Sequence, residues 1–593
     1  MKLGLLRSLE KDIRGKIYGP IGLGYISSYL KKNYQEDIKI IIEDDINKLL
    51  EWNPDIIGIS SLTANFIESL KKTSIVKKTI NIPIILGGVH ISSIPESLPE
   101  SIDIGVIGEG EDTMLEICKT KSFTYENLNK IKGIVFHHKG KKIFTHPRSI
   151  ISDIDTIPPP DRILLRKWTQ TILTSRGCPY KCKFCYSNKL WKKFRFHSAQ
   201  RVVNEIESII KLFPEQKIIT FNDDLFTLNK DRLKEIMRLI KEEKIDRKVE
   251  FFCSGRASTI DEEICKLLLS MNVKTIFLGL ESGSQRVLSY LKGKDINIKD
   301  NQKSIDLCKK HGLKVVASFI LGTPVETKSD ISKTFWFIFR NRYKLKDFDF
   351  CYSTPLPGTN LWRYAKSKKL INDDFQDWDI MDLNYYANKS IYLNEYINQT
   401  EFNNIYNYFK KFLGQMIEEY KRNFPPLIDK EIYYKVLRAK LFEIIPKDIE
   451  NTLIISDDET LKLKFSNLFF YIEKREIEKT IVYIKNFLKR YGYLVFLTFN
   501  LLHFYHLIGL LLNLYNQNKV GFIQYISLKR LKQILENNDL EIISINSIKI
   551  NLDKSYLPVV NWITNYLNKS LGCDLSNELD TVSYLTVTRN KMG

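Results

Sequence analysis

Short β-branched runs alternate with amphipathic helical stretches over residues 1–125, and this alternation limits the folds open to that region. It is typical of a doubly wound parallel sheet, which binds ligands at the carboxyl ends of its strands. Loops rich in glycine or hydroxyl groups follow three of the runs, at 60–63, 87–90 and 108–111. The sequence therefore predicts an α/β Rossmann-like domain whose strands are Lys2–Leu6, Ile38–Ile42, Ile56–Ile59, Ile84–Leu86 and Ile104–Ile107.

The same alternation repeats on a larger scale over residues 169–365. A hairpin and a Pro-rich linker at 126–168 precede it, and a helical, aromatic-rich extension at 366–430 follows. Six strand–helix units predict a partial or complete parallel barrel, with function at the carboxyl ends of its strands. The predicted barrel strands are Thr171–Ser175, Lys217–Phe221, Glu250–Cys253, Thr275–Leu280, Val315–Leu321 and Phe348–Tyr352.

Three cysteines, Cys178, Cys182 and Cys185, lie in the loop that follows the first barrel strand. Thiolates bind zinc, copper(I) or iron–sulfur clusters. A structural zinc site needs four protein ligands, usually as two separated pairs, and no second Cys-x-x-Cys occurs in the sequence. A 4Fe–4S cluster held by three cysteines keeps one iron open for a ligand that is not protein. A purely structural metal site is the alternative.

Composition narrows the class of protein. The other six of the nine cysteines are scattered over the 593 residues, which excludes a disulfide framework and predicts a cytoplasmic protein. The formal net charge is +20, and a basic surface can bind nucleic acid. The lysines are dispersed among isoleucine and asparagine, however, so nucleic-acid binding is not favoured.

Residues 431–593 form a separate α/β region of unknown role. Its segment 491–515 lacks charged residues and reaches the length of ~20 residues that spans a bilayer. Asn500, His503 and His506 would be costly in lipid, so a buried strand at Tyr493–Phe499 and a following helix are favoured over membrane association. The last hundred residues resemble the second half of a class I methyltransferase. The glycine-rich loop that binds S-adenosylmethionine in such a domain is missing.

Further motifs occur in a characteristic order after the cysteines. Together with the cysteine loop they resemble one branch of the radical S-adenosylmethionine (SAM) superfamily, over roughly residues 15–365. That branch joins a cobalamin-binding domain to a radical SAM barrel, and it includes cobalamin-dependent methylases and the anaerobic cyclase of chlorophyll synthesis. The motifs are Phe221–Phe226, Ser254–Ala257, Gly279–Ser284, Leu321–Thr327 and Thr354–Thr359.

The resemblance implies that Cys178, Cys182 and Cys185 bind three irons of a 4Fe–4S cluster and that SAM chelates the fourth. It also implies that Phe184 lies near the adenine of SAM and that Asp223 and Asp224 contact its amino group. Arg256 would bind the carboxylate of SAM, and Glu281 would accept hydrogen bonds from its ribose hydroxyls. Alternatively, the two aspartates cap a helix and Arg256 only pairs with a barrel carboxylate.

For the N-terminal domain, the resemblance implies cobalamin across the carboxyl edge of the sheet. The motif Asp-x-His-x-x-Gly, which supplies a histidine to cobalt in other cobalamin proteins, is absent from the sequence. We therefore expect cobalamin with its lower base detached and do not assign His90 to cobalt. A domain that no longer binds the cofactor is the alternative. The predicted lining residues are Ser60, Ser61, Thr63, Gly87, Gly88, His90, Gly108 and Glu109.

The resemblance implies reductive cleavage of SAM to a 5′-deoxyadenosyl radical, which abstracts hydrogen from an unactivated carbon. With cobalamin present, we expect methylation of a small-molecule or lipid-like substrate, with electrons from an external donor such as flavodoxin or ferredoxin. A radical cyclase or rearrangement enzyme is the second interpretation. A non-catalytic partner protein with a vestigial barrel is the third. A methylthiotransferase needs three more N-terminal cysteines, and residues 1–170 contain only Cys118.

Overall fold

The structure is a computed structural model. It describes residues 1–8, 18–120, 122–342, 344–381, 391–407 and 409, and four strands between residues 494 and 590. The chain divides into two compact units, Met1–Met416 and Ile417–Gly593. The first unit contains both predicted α/β domains.

A seven-stranded sheet with the strand order 2-1-3-4-5-6-7 forms the core of the N-terminal domain. The first five strands are parallel, which confirms the predicted doubly wound fold. The crossover helices among the described residues are α1 (Ile21–Asn33), α2 (Ile46–Glu51), α3 (Phe66–Thr79), α4 (Val89–Ser93) and α5 (Glu111–Lys119). The parallel strands are β1 (Lys2–Arg7), β2 (Lys39–Glu43), β3 (Ile56–Ser60), β4 (Ile84–Gly87) and β5 (Ile104–Val106).

The predicted hairpin is part of this sheet rather than a separate element between the domains. The short helix α6 (Tyr125–Leu128) leads into β6 (Ile134–His138) and β7 (Lys141–Phe144). Strand β6 pairs antiparallel with β5, because an otherwise unpaired edge strand offers its backbone donors and acceptors to a neighbour.

Six parallel strands in the order 15-14-13-12-11-8 form the second sheet, so the predicted partial barrel is confirmed. Between β8 and β11, the antiparallel pair β9–β10 forms a small ribbon. The strands are β8 (Thr171–Ile172), β9 (Ser175–Arg176), β10 (Arg195–Phe196), β11 (Ile218–Phe221), β12 (Glu250–Gly255), β13 (Val273–Glu281), β14 (Lys314–Leu321) and β15 (Leu345–Tyr352).

Amphipathic helices follow the barrel strands and bury their apolar faces. Side-chain caps begin several of them: Ser198 caps α8, and Thr327 caps α13 in a capping box with Asp330, which stabilises a helix start. The helices are α7 (Ser187–Leu190), α8 (Ala199–Leu212), α9 (Lys230–Glu242), α10 (Glu262–Ser270), α11 (Gln285–Lys292), α12 (Ile298–His311), α13 (Lys328–Asn341) and α14 (Asn360–Ser367).

The aromatic residues after the barrel complete the core of the N-terminal domain. Trp362 on α14 stacks on Trp378, with ring centroids 5.9 Å apart, and Trp378 meets Phe66 of α3 edge to face. These rings are therefore core residues. The predicted helical extension is only partly helical among its described residues, with the last two residues of α14 and residues 399–407 and 409 in helices.

The second unit contains a four-stranded sheet with the order 17-16-19-18. Strand β16 corresponds to the strand predicted at Tyr493–Phe499, whereas the helix predicted after it lies outside the described residues. None of the described helices is long and apolar enough to cross a membrane. The strands are β16 (Leu494–Phe499), β17 (Ile523–Gln524), β18 (Leu540–Lys549) and β19 (Thr581–Asn590).

Candidate active site

A cavity of about 250 Å³ lies at the carboxyl edge of the N-terminal sheet. Five glycines from β3, β4 and the loops after β4 and β5 line it, together with apolar side chains such as Ile59, Val89 and Met114. Residues that flank or belong to the cysteine loop, including Leu173, Leu190 and Trp191, close its other side. The cavity thus lies between the two domains. Its lining glycines on this edge are Gly58, Gly87, Gly88, Gly108 and Gly110.

The residues predicted to contact cobalamin divide into two groups. Five of them line the cavity: Ser60, Gly87, Gly88, Gly108 and Glu109. Ser61, Thr63 and His90 are not among its lining residues and are buried.

Gly88 must be glycine for a local reason. Its φ is +103°, and a Cβ there would lie 2.5 Å from the carbonyl oxygen of Ser61. Gly87 differs, because a Cβ at that position would meet no atom within 4 Å. A side chain at Gly87 would therefore project into free space at the edge of the cavity.

His90 is a core residue. Its ring stacks on Phe66 at 3.9 Å, Nε2 is 3.0 Å from Ser97 Oγ, and Nδ1 is 3.3 Å from Thr63 Oγ1. Burial lowers the pKa of His90 to about 3, so the imidazole is neutral. Both ring nitrogens have polar neighbours, and the ring lies outside the cavity lining. This geometry agrees with our not assigning His90 to cobalt.

Backbone contacts hold the cysteine loop at the barrel's carboxyl edge. Asp223, which follows β11, accepts hydrogen bonds of 2.7 Å from the backbone N–H groups of Thr174 and Ser175. The N–H of Lys183 donates to Leu291 O at 2.8 Å. Asp223 is fully buried and thereby anchors the strand end from which the loop begins.

The three thiols lie in a half-buried setting. Burial raises the pKa of Cys178 and of Cys182, and it raises the pKa of Cys185 to about 12. For Cys182, the nearby cations Lys292 and Arg256 partly offset that burial effect. Metal ligation requires thiolates, so cations beside the loop favour the ligating form.

Among the described residues, no three His, Cys, Asp or Glu side chains converge on a single metal ion. A 4Fe–4S cluster does not require such convergence, because each cysteine binds its own iron. The donor set of three thiols on one loop, flanked by cations, fits that cluster.

Arg256 lies directly beside Cys182. Its Nη1 is 3.7 Å from Cys182 Sγ, and its guanidinium stacks over Tyr180 at 3.8 Å. It also pairs with Asp295 at 3.1 Å, a carboxylate that is 54% exposed. The ion pair considered in the sequence analysis is thus present, and its carboxylate partner is exposed to solvent.

Glu281 ends β13 in an unusual backbone conformation. The register of β13 shifts between Gly279 and Glu281, and the φ of Glu281 is +61°. Lys292 Nζ lies 3.1 Å from Glu281 Oε1 and donates to Gly279 O at 2.5 Å. A left-handed non-glycine residue is strained and occurs often at functional sites.

The other two predicted SAM residues also lie close to the cysteine loop. Asp224 accepts a hydrogen bond of 2.5 Å from Ser187 Oγ, and burial raises its pKa. Phe184 packs against the buried cluster of Val287, Leu291 and Ile320. Cys182 thus has Arg256, Glu281 and Lys292 around it, whereas Asp223 is engaged with backbone.

Sequence reasoning missed three charged residues of the site, namely Lys292, Arg176 and Arg195. Lys292 stands eleven residues after Glu281 at the end of a helix, where a basic residue usually only complements the helix dipole. Arg176 sits directly before the Gly-Cys of the loop. Neither pattern distinguishes a buried charge from a solvated one.

Comparison with known proteins agrees with this arrangement. Residues 14–118 match the B12 binding domain family, and residues 172–338 match the Radical SAM superfamily. An uncharacterized methyltransferase of Pyrococcus horikoshii is 34% identical over 388 residues, which cover 61% of this chain and 82% of that protein.

The anaerobic magnesium-protoporphyrin IX monomethyl ester cyclase of Rubrivivax gelatinosus is 28% identical over 53% of this chain and 61% of the cyclase. Among solved structures, the cobalamin-dependent SAM radical enzyme OxsB with aqua-cobalamin and SAM bound has a TM-score of 0.57 at 18% identity. That similarity covers 83% of this chain and 75% of OxsB and concerns the fold.

The fold and site define an enzyme with a B12-binding domain followed by a radical SAM domain. The chain belongs to the family of radical SAM enzymes that carry a cobalamin-binding domain. A 4Fe–4S cluster, SAM and cobalamin are the cofactors of this class.

Proposed function

We propose that this enzyme methylates an unactivated carbon of a small-molecule or lipid-like substrate. The observation that carries the proposal is the shared wall of the cavity. Glycines of the Rossmann-like domain form one side, and Leu173, Leu190 and Trp191 around the cysteine loop form the other. A methyl donor in the cavity would therefore face the region where SAM is cleaved.

The bound cofactors supply the chemistry, since the cluster gives the electron that cleaves SAM and cobalamin delivers the methyl group. The protein's part is to bind, orient and exclude water. Cys178, Cys182 and Cys185 would hold the cluster, with Lys292 compensating its negative charge. Arg256, beside Cys182, would bind the SAM carboxylate. Glu281, whose backbone is fixed by the bulge, would accept hydrogen bonds from the ribose.

The roles of Phe184, Asp223 and Asp224 are proposed from their positions beside the cysteine loop. Phe184 would shield the cluster, because it lies directly before Cys185 and packs against the buried cluster of Val287, Leu291 and Ile320. Asp224 would accept from the SAM amino group, whereas Asp223 would keep the loop in place. The electron would come from an external donor such as flavodoxin or ferredoxin. The relatives' names support methyl transfer, which is the activity named for the Pyrococcus horikoshii protein.

An isotope experiment tests the proposal. The full chain, reconstituted anaerobically with iron, sulfide and hydroxocobalamin, is given a strong reductant, SAM deuterated in its methyl group, and a small-molecule extract. We expect one extract compound to gain the labelled methyl group, with S-adenosylhomocysteine and 5′-deoxyadenosine as coproducts. Formation of 5′-deoxyadenosine with a changed but unlabelled compound would contradict methyl transfer and support the cyclase interpretation.

A further inference from the structure

Four charged side chains join the region after β5 to the two strands, β9 and β10, on either side of the cysteines. Arg176 donates to Glu109 at 2.8 Å and to Glu111 at 2.5 Å, and Arg195 donates to both oxygens of Glu109 at 2.9 and 3.0 Å. We name this set, Glu109, Glu111, Arg176 and Arg195, the junction clamp. Two acids and two bases make it formally neutral.

All members of the junction clamp are buried, with side chains only 4–7% exposed. Burial alone would raise the pKa of Glu109, but hydrogen bonds and charge from Arg195 and Arg176 hold it below its ordinary value. Glu109 also accepts from the backbone N–H of Ile151 at 3.0 Å. Removing one partner of such a network leaves an uncompensated buried charge, which is strongly unfavourable.

The junction clamp contacts the two ends of the cysteine loop. Arg176 and Arg195 lie opposite each other in the β9–β10 ribbon, and residues 177–194, which include all three cysteines, form the loop that this ribbon closes. Both arginines donate to the same carboxylate. Glu109 therefore ties the two ends of the loop to the loop after β5, at a point that lines the cavity.

Aromatic rings fix the central arginine further. The Arg176 guanidinium lies 5.3 Å from the ring of Tyr25 on α1 and 5.4 Å from the ring of Trp191. One ring belongs to the Rossmann-like domain and the other to the cysteine loop. The Arg176 guanidinium thus contacts residues of both domains, through these two rings and through its hydrogen bonds to Glu109 and Glu111.

We propose that the junction clamp sets the position of the cysteine loop relative to the carboxyl edge of the N-terminal sheet, with Glu109 and Glu111 as positioning residues. The inference rests on the proposed function, since it takes that edge as the cobalamin site and the loop as the cluster site. Group transfer between bound partners is sensitive to placement, and a shift of about 1 Å can cost about 100-fold in rate.

The first test measures a distance rather than activity. The chain carrying both the reduced 4Fe–4S cluster and cob(II)alamin has two electron spins, whose separation pulsed EPR can measure. We expect one narrow distance distribution for the unmodified chain and a clearly broader or shifted one for Glu109→Gln. The control is Glu116→Gln on α5, because Glu116 makes a similar two-pronged pair with Arg148 at the surface. An unchanged distribution in Glu109→Gln would overturn the proposal.

The second test needs no cobalamin. Hydrogen exchange of residues 177–194 is followed in the full chain without cofactors. We expect roughly tenfold or faster exchange in Glu109→Gln and in the milder Arg195→Lys, because a buried pair is broken or loses its two-pronged geometry. Exchange like that of the unmodified chain in Arg195→Lys would overturn the clamp, even if Glu109→Gln does not fold.

The two tests separate the clamp from the proposed function. If the unmodified chain retains no corrinoid, the proposed function fails, whereas the hydrogen-exchange result still decides whether the clamp holds the loop. If corrinoid and cluster are both retained and the variants behave like the unmodified chain, only the clamp fails.

Discussion

The parallel strands of the two sheets have different chemistry at their carboxyl edges, although strand–helix units build both sheets. The N-terminal edge has Gly87, Gly88 and Gly108 around a cavity whose other lining residues are mostly apolar. The barrel edge carries thiols and buried charges, with Arg256 at 3.7 Å from Cys182. A broad rigid cofactor needs space and backbone contacts, whereas a cluster and SAM need ligand atoms and counter-charges. Sheet topology therefore sets where a site lies, and the loops decide what it binds.

The largest effect is expected from removing a cluster ligand at the barrel edge. Cys182→Ala should abolish cluster binding and SAM cleavage, because the two remaining cysteines are too few ligands to retain a 4Fe–4S cluster. Iron and sulfide analysis after anaerobic reconstitution should fall from about four of each per chain. Cys118→Ala is the control, since Cys118 is a buried residue of the N-terminal domain and should keep full cluster content. A tightly bound zinc in place of iron would contradict the assignment.

The next effect fills the space at the N-terminal edge. Gly87→Leu should prevent retention of hydroxocobalamin through gel filtration, while the cluster content stays unchanged. The side chain would enter free space, since no atom lies within 4 Å of the Gly87 Cβ position. Gly87→Ala should weaken retention only partly, which gives a graded control. Full retention by Gly87→Leu would show that the corrin does not use this edge.

A third prediction separates the core behind this edge from the cofactor site. His90→Ala should leave the base-off spectrum of bound cobalamin unchanged but lower the free energy of unfolding by about 2–4 kcal/mol, as for other buried large-to-small changes. A changed cobalt spectrum in a folded variant would contradict the placement of His90.

The same histidine gives a pH dependence with a definite sign. Burial lowers the pKa of His90 to about 3 from the ordinary 6.5, so the unfolded chain binds the extra proton first. Its contribution to stability is present above pH 6.5 and is lost as the pH falls towards 3. Urea unfolding of His90→Phe should lose less stability between pH 7.5 and pH 5 than the unmodified chain does. An equal loss in both would contradict this.

The last prediction concerns a carboxyl group in the loop between β14 and α13 of the barrel. Burial raises the pKa of Glu326 from 4.5 to about 8, although Gly322 N–H donates to it at 2.6 Å. The stability that protonated Glu326 contributes is fully present below pH 4.5, and it is lost as the pH rises through about 8. Glu326→Gln should flatten the decline in stability between pH 6 and pH 9 in urea unfolding. A decline as steep as in the unmodified chain would count against the raised pKa.

The sequence predicts the strands and the cysteine loop well, because both depend on local patterns. β-branched runs between amphipathic stretches mark parallel strands, and three cysteines within eight residues predict a metal site, which stays a prediction. The junction clamp is different. Arg176 and Glu109 are 67 residues apart, and nothing local in either segment indicates that they pair. The same holds for the burial of His90, whose neighbour Trp378 comes from beyond the barrel.

The domain boundaries illustrate the same limit. The hairpin at Ile134–His138 and Lys141–Phe144 was predicted to lie between the domains, but it extends the first sheet because β6 pairs with β5. Pairing of an edge strand depends on which backbone is free in three dimensions. The role of residues 431–593 and the boundary at 430 stay predictions.

Cofactor stoichiometry in the unmodified chain tests the central claim most directly. The full chain is reconstituted anaerobically with iron, sulfide and hydroxocobalamin, passed through gel filtration, and analysed for iron and corrinoid. The account predicts about four irons per chain and an equimolar corrinoid with the absorption spectrum of the base-off form. A chain that holds the cluster but releases all corrinoid would contradict it, because the glycine-lined cavity would then be vestigial.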